Sequence, residues 1–155
     1  MITGFRHTGI VVSDLAAAEH FWCELMGFTV NRRMNESGSY LDEMLALQNV
    51  SVTTLKLAAP DGTVIELLKF HSHPEETTWG RTIYSTGLTH LAFTVEDLGA
   101  EYKRLSSLGI LFHAPPQESP DGAVLVTFCE GPEGILVELV EQRMAHGAFL
   151  TKKQG

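Results

Sequence analysis

Hydrophobic and polar positions change their period along this chain in one order, and that order occurs twice. The β-branched run at residues 7–12 predicts a strand, and Ser13-Asp14 after it suits a helix cap. Leu15, Ala18, Trp22 and Leu25 then recur at helical spacing until Gly27 ends the pattern. Residues 91–95 predict a second such strand and Asp97 a second cap, with Leu98, Tyr102, Leu105 and Leu108 on one helix face and Gly109 as the stop. Strand-type segments follow each helix, at 28–32, 51–58 and 63–70 and again at 111–113, 123–130 and 135–140. Pro60-Asp61-Gly62, Pro120-Asp121-Gly122 and Pro132-Glu133-Gly134 supply turns between them. Residues 35–49 show no clear strand and form the main insertion of the first unit.

Each unit therefore reads β-α-β-β-β, and the expected fold class is α+β with two tandem βαβββ modules. The repeat extends to individual residues. Gly4-Phe5-Arg6-His7-Thr8-Gly9-Ile10-Val11-Val12-Ser13-Asp14-Leu15 matches Gly87-Leu88-Thr89-His90-Leu91-Ala92-Phe93-Thr94-Val95-Glu96-Asp97-Leu98 at a constant offset. Pro60-Asp61-Gly62-Thr63-Val64-Ile65-Glu66-Leu67 likewise matches Pro132-Glu133-Gly134-Ile135-Leu136-Val137-Glu138-Leu139. Units of about 55 to 70 residues are marginal as free domains, so the expectation is one domain over residues 1–141. Within it, module one spans 1–70, a polar linker 71–86 and module two 87–141, and a polar tail follows at 142–155.

Composition narrows the classes. The chain has 155 residues, 44% of them apolar, and a net charge of −8 with 11 basic residues spread along it. That balance excludes a nucleic-acid surface, which needs concentrated Lys and Arg. No stretch approaches the roughly 18 apolar residues of a membrane span, and the first residues carry no leader pattern. The expectation is a cytoplasmic protein with neither nucleic acid nor membrane as partner. Cys23 and Cys129, with no CxxC spacing, read as reduced packing residues.

The repeat also delivers two histidines and two glutamates to equivalent places in apolar strands: His7 and His90, Glu66 and Glu138. An unpaired carboxylate in such surroundings costs several kcal/mol, and this chain would bear that cost twice. Two carboxylates, two neutral imidazoles and one divalent cation sum to zero charge, with donor types that suit Zn, Ni, Co, Mn or Fe(II). One divalent metal ion held by His7, Glu66, His90 and Glu138 is the resulting expectation. His20, His71, His73, His113 and His146 have no such counterpart.

With these motifs in place, the chain resembles the vicinal oxygen chelate superfamily of glyoxalase I, methylmalonyl-CoA epimerase, extradiol dioxygenases, and fosfomycin and bleomycin resistance proteins. The resemblance rests on His7-x-Gly-Ile-Val-Val-x-Asp-Leu, Gly62-x-x-x-Glu66-Leu, His90-Leu-Ala-Phe-x-Val-x-Asp-Leu and Gly134-x-x-x-Glu138-Leu, and it covers about residues 1 to 141. It implies curled sheets forming a cupped site for one divalent metal, with these four residues on the ligand positions. It also implies a small-molecule substrate that offers two adjacent oxygens, and a homodimer whose modules pair within a chain or between chains.

A Glu at the second ligand position resembles the glyoxalase and epimerase branch more than the three-ligand dioxygenases. The expected activity is therefore that of a metal-dependent isomerase or lyase, moving a proton next to a carbonyl through a metal-stabilised enediolate or enolate. Glu66 and Glu138 are the candidate catalytic carboxylates, as ligands first and bases second. Asp42 and Glu43, in the insertion, could reach the cup as a base outside the metal shell, but they read first as solvated loop carboxylates; Arg32, Arg33 and Arg81 are available for rim contacts to glutathione or CoA, but their spacing marks no clamp and they read first as surface arginines. The alternatives are an Fe(II) extradiol-type dioxygenase and a non-catalytic small-molecule binding or resistance protein.

Overall fold

The computed structural model describes residues 1, 3–73, 83–84 and 86–143. The chain forms two compact units, residues 1–79 and 80–155. Arg81, His146, most of the expected linker and nearly all of the expected tail lie outside the described residues.

In the first unit, β1 (Thr8–Val11) leads to α1 (Leu15–His20), β2 (Thr29–Ser37), α2 (Ser39–Leu45), β3 (Ser51–Ala58) and β4 (Val64–Phe70). They make a four-stranded sheet of order β1-β4-β3-β2, in which only the β1–β4 pairing is parallel. The second unit repeats the plan with β5 (His90–Thr94), α3 (Leu98–Ser107), β6 (Gln117–Glu118), β7 (Val124–Glu130) and β8 (Leu136–Gln142). Its order is β5-β8-β7-β6, again with one parallel pairing, β5 to β8. This is the expected α+β architecture of two tandem modules.

Both helices begin where the sequence places a cap. Asp14 Oδ1 accepts from Ala17 N–H at 2.9 Å, and Asp97 Oδ1 accepts from Ala100 N–H at 2.8 Å. Each carboxylate satisfies a first-turn donor that the helix itself leaves unpaired. Glu141, from β8, adds a second such acceptor at Leu98 N–H, 2.7 Å away. In the first unit the helix continues into a wider turn over Phe21–Leu25, which closes with Met26 N–H donating to Phe21 O.

One face of each sheet lies under its helix. Ala18 and Trp22 from the helical segment, with Leu55, Leu57, Ile65 and Leu67 from β3 and β4, are essentially buried, as are Leu98, Leu105, Cys129, Val137 and Leu139 in the second unit. Full burial of such side chains contributes roughly 1.5–3 kcal/mol each. Trp22 meets Phe21 and Phe28 edge to face, at centroid distances of 5.1 and 5.3 Å. Both cysteines are free, and burial pushes the Cys129 thiol up to about 11.

Strands alternate between faces, so the residues between these buried positions share the opposite, open face. That face carries the candidate chemistry.

Three elements differ from the sequence reading. Residues 35–49 are not strandless: β2 runs to Ser37, and α2 follows. The polar run Arg33-Met34-Asn35-Glu36-Ser37 hid this strand because β2 is an edge strand whose side chains are largely exposed. Its place is set by the ladder to β3 and by two hydroxyl bonds, Thr53 to Asn35 and Thr54 to Glu36, each 2.7 Å. Second, residues 111–113 form no strand but a single bridge, Phe112 to Cys129. Pro115-Pro116 interrupts any continuation, since proline brings no N–H to a ladder. Third, the pairing resumes instead as β6, which the sequence did not signal.

Replacing the two capping carboxylates tests the helix starts. Asp14→Ala and Asp97→Ala should each lower unfolding free energy by about 1 kcal/mol in urea titrations, with unchanged slopes. A loss for Asp97 smaller than for Asp14 would reflect the extra acceptor from Glu141.

Candidate metal-binding residues

The parallel pairing fixes where each histidine meets its glutamate. Gly9 is the cross-strand partner of Glu66, and His7 stands two residues before Gly9. Ala92 is the partner of Glu138, and His90 stands two residues before Ala92. Histidine and glutamate therefore take the same diagonal relation on the open face of both sheets. A small residue, Gly9 or Ala92, lies directly opposite each carboxylate, and over Gly9 the Leu68 side chain reaches to within 3.5 Å of where a Cβ would stand.

The side chains meet accordingly. His7 Nε2 lies 3.1 Å from Glu66 Oε2, and His90 Nε2 lies 3.1 Å from Glu138 Oε2. His90 is further oriented by Thr89, whose hydroxyl is 2.9 Å from Nδ1, and by Phe128, edge to face at 5.4 Å. A neutral imidazole that offers its Nε2 lone pair carries its proton on Nδ1, where the Thr89 oxygen can accept it.

This arrangement fits a divalent cation. Two donors each about 2.1 Å from one ion and at right angles around it stand roughly 3 Å apart, the spacing found in both pairs. Imidazole nitrogen with carboxylate oxygen is also a donor set that first-row metals take. The same spacing serves a direct N–H···O hydrogen bond, so geometry alone admits both uses. Among the described residues, no third His, Cys, Asp or Glu joins either pair.

The surroundings of the two carboxylates differ. Lys56, the β3 partner of Glu66, places Nζ 3.4 Å from Glu66 Oε1. The equivalent position opposite Glu138 is Phe128. The premise that both glutamates sit among apolar side chains thus holds for Glu138 and fails for Glu66, which already has a cation beside it. Sequence reasoning passed over Lys56. The signal was present: in Thr54-Leu55-Lys56-Leu57-Ala58, a lysine alternates with two leucines that are fully buried.

The remaining candidates separate from the pairs. Asp42 Oδ1 and Oδ2 accept from the Val50 and Asn49 N–H groups at 2.8 and 3.0 Å, so this carboxylate closes the loop between α2 and β3. Leu41, next to it, packs with Val50, Val52, Leu68 and Phe70 and covers one end of the open face. Glu43 is exposed. Arg33 pairs with Glu19 on the helix side of the sheet, whereas Arg32, the partner of Lys56, belongs to the open face. His71 Nε2 is bonded to Thr53 and His73 Nδ1 to Ser72, apart from the pairs.

Asp42→Ala should lower stability by about 1–3 kcal/mol, the cost of leaving two loop amides without their acceptor. Elemental analysis of that variant should give the same metal content as the parent. Loss of metal together with retained stability would instead place Asp42 in the site.

Known proteins fit this picture. The chain is 29% identical over 137 residues to the uncharacterized protein YaeR of Escherichia coli, covering 88% of this chain and 95% of that one. It is 26% identical over 145 residues to a "Probable lactoylglutathione lyase" of Vibrio cholerae, covering 92% and 94%. Among solved structures, a glyoxalase family protein from Bacillus cereus superposes with a TM-score of 0.83 at 26% identity, covering 93% of this chain and 97% of that one. The fosfomycin resistance protein FosX of Listeria monocytogenes, solved with Mn(II) and sulfate ion, shares the fold at 16% identity and a TM-score of 0.62, covering 93% and 96%. No helix among the described residues is long and apolar enough to cross a membrane. The model of the Glyoxalase/Bleomycin resistance protein/Dioxygenase superfamily matches residues 4–139, and the chain belongs to that superfamily.

Proposed function

We propose that this protein is a divalent-metal-dependent isomerase or lyase of the glyoxalase kind, in which His7, Glu66, His90 and Glu138 share one cation, within a chain or across a homodimer. The observation that carries the reading is the repetition of one His–Glu pair, in the same strand register and at the same 3.1 Å, in both units. Duplication accounts for the repeated residues, and the same contact held in the same register in both units supports a function that uses both pairs. The name of the Vibrio cholerae relative supports lyase chemistry, and the Mn(II) in FosX, a resistance protein, supports only a divalent metal on this fold.

The cation would act as a Lewis acid on two adjacent substrate oxygens, making the neighbouring C–H more acidic. The chain's own residues do the rest. His7 and His90 supply neutral nitrogen donors that add no charge. Glu66 and Glu138 would balance the charge of a cation held there, and one of the two carboxylates would take the proton and return it to the adjacent carbon.

Stoichiometric metal is the first expectation. Elemental analysis should find one divalent ion per chain, and chelation with EDTA should abolish turnover of hemithioacetals, with recovery on adding Ni, Co or Zn. Glu66→Gln and His90→Ala should weaken metal binding by more than the roughly 10–100-fold expected for an outer-sphere change, while His73→Ala leaves it intact. Equal metal content in all three variants would remove the assignment. Oxygen uptake with catechols after anaerobic Fe(II) loading, or tight ligand binding that survives chelation, would replace it with dioxygenase or sequestration chemistry.

A further inference from the structure

The open face of the first sheet carries a row that has no counterpart in the second. Reading across the strands at one register, the row is Gly9, Glu66, Lys56 and Arg32. In the second sheet the same register runs Ala92, Glu138 and Phe128. Two cations thus stand directly opposite each other on neighbouring strands, where like charges destabilise a sheet. Only one carboxylate of the row, Glu66, faces them. Arg33, the adjacent arginine, is engaged by Glu19 on the other face, and Glu36 accepts from the Thr54 hydroxyl at 2.7 Å. Lys56 is also well enclosed for a lysine, with 25% of its side chain exposed.

The consequence follows from charge. Resting on the proposal that Glu66 balances a divalent cation, the four ligands and the ion sum to zero, and Glu66 no longer neutralises Lys56. The loaded site then presents one half-buried ammonium, with a guanidinium beside it, next to the substrate oxygens. An ammonium in that setting gains most from an anionic partner, because charge-assisted bonds strengthen where water is partly excluded.

We propose that Lys56, with Arg32 beside it, is a specificity-determining anion site that selects substrates bearing a carboxylate separate from the two oxygens directed at the cation. Phe128 at the equivalent place offers a ring edge or face in the second unit, and it cannot substitute for this charge. The substrate class is therefore a small acid whose reacting carbon lies beside a carbonyl and whose carboxylate lies further along the molecule.

A pair of hydroxamates tests this on the full chain loaded with Ni(II). Acetohydroxamic acid and the monohydroxamate of succinic acid present the same two chelating oxygens, and only the second adds a carboxylate. Calorimetric titration should show the carboxylated probe binding about tenfold or more tightly. Lys56→Met, which keeps an apolar stem for packing, should bring the two affinities to within about twofold, and Lys56→Arg should restore the preference. Arg32→Met, at an exposed position, should reduce the preference severalfold without disturbing the fold. A preference that survives Lys56→Met, or its absence in the parent chain, overturns the anion site when one nickel per chain is present. Failure to bind nickel is read separately by elemental analysis. That outcome overturns the shared metal centre and, with it, this inference, since Glu66 then stays paired with Lys56.

Discussion

Everything proposed for this chain depends on one backbone feature: the parallel pairing of the first strand of each unit with its last. The pairing sets His7 diagonally from Glu66 and His90 diagonally from Glu138, in the same register. A slip of one residue would send the whole set to the helix side, among Leu55, Leu67 and Trp22 in the first unit, where neither an imidazole nor a carboxylate has room or partners. The register is held by the packing of that buried side. The core positions Ile65, Leu67, Val137 and Leu139 alternate with Glu66 and Glu138 and cannot leave the helix face without exposing themselves. Fold stability and site geometry are thus the same constraint seen from the two faces of a strand.

The two halves keep this geometry while their surroundings diverge. Glu66 has an ammonium on its far oxygen, and Glu138 has a phenyl ring on the neighbouring strand. Equal donors with unequal neighbours suit a site in which one pair's surroundings recognise charge and the other's recognise an apolar or planar group.

Much of this could be read from the amino acids. The periodic segments, the caps at Asp14 and Asp97 and the four repeated His and Glu residues rest on local rules that tertiary structure had no reason to override. What escaped was non-local. β2 beyond Arg32 is polar, and only its ladder to β3 makes it a strand. β6 is two residues long and exists because Val126 and Leu125 offer it an edge. Asp42 read as a solvated loop carboxylate, yet two amides eight and seven residues further on claim both its oxygens. Lys56 is the instructive omission. A lysine between buried leucines announces a face open to solvent or ligand, but its closeness to Glu66 arises only when β3 and β4 pair.

The sharing of a single cation by both pairs is the claim on which the chemistry stands, and anomalous diffraction from crystals loaded with Co(II) addresses it most directly. One anomalous peak is expected for each chain, within about 2.3 Å of His7 Nε2, His90 Nε2 and an oxygen of both Glu66 and Glu138, contributed by one chain or by two. Separate peaks at the two pairs, or no peak at either with both N–H···O contacts intact, would contradict it.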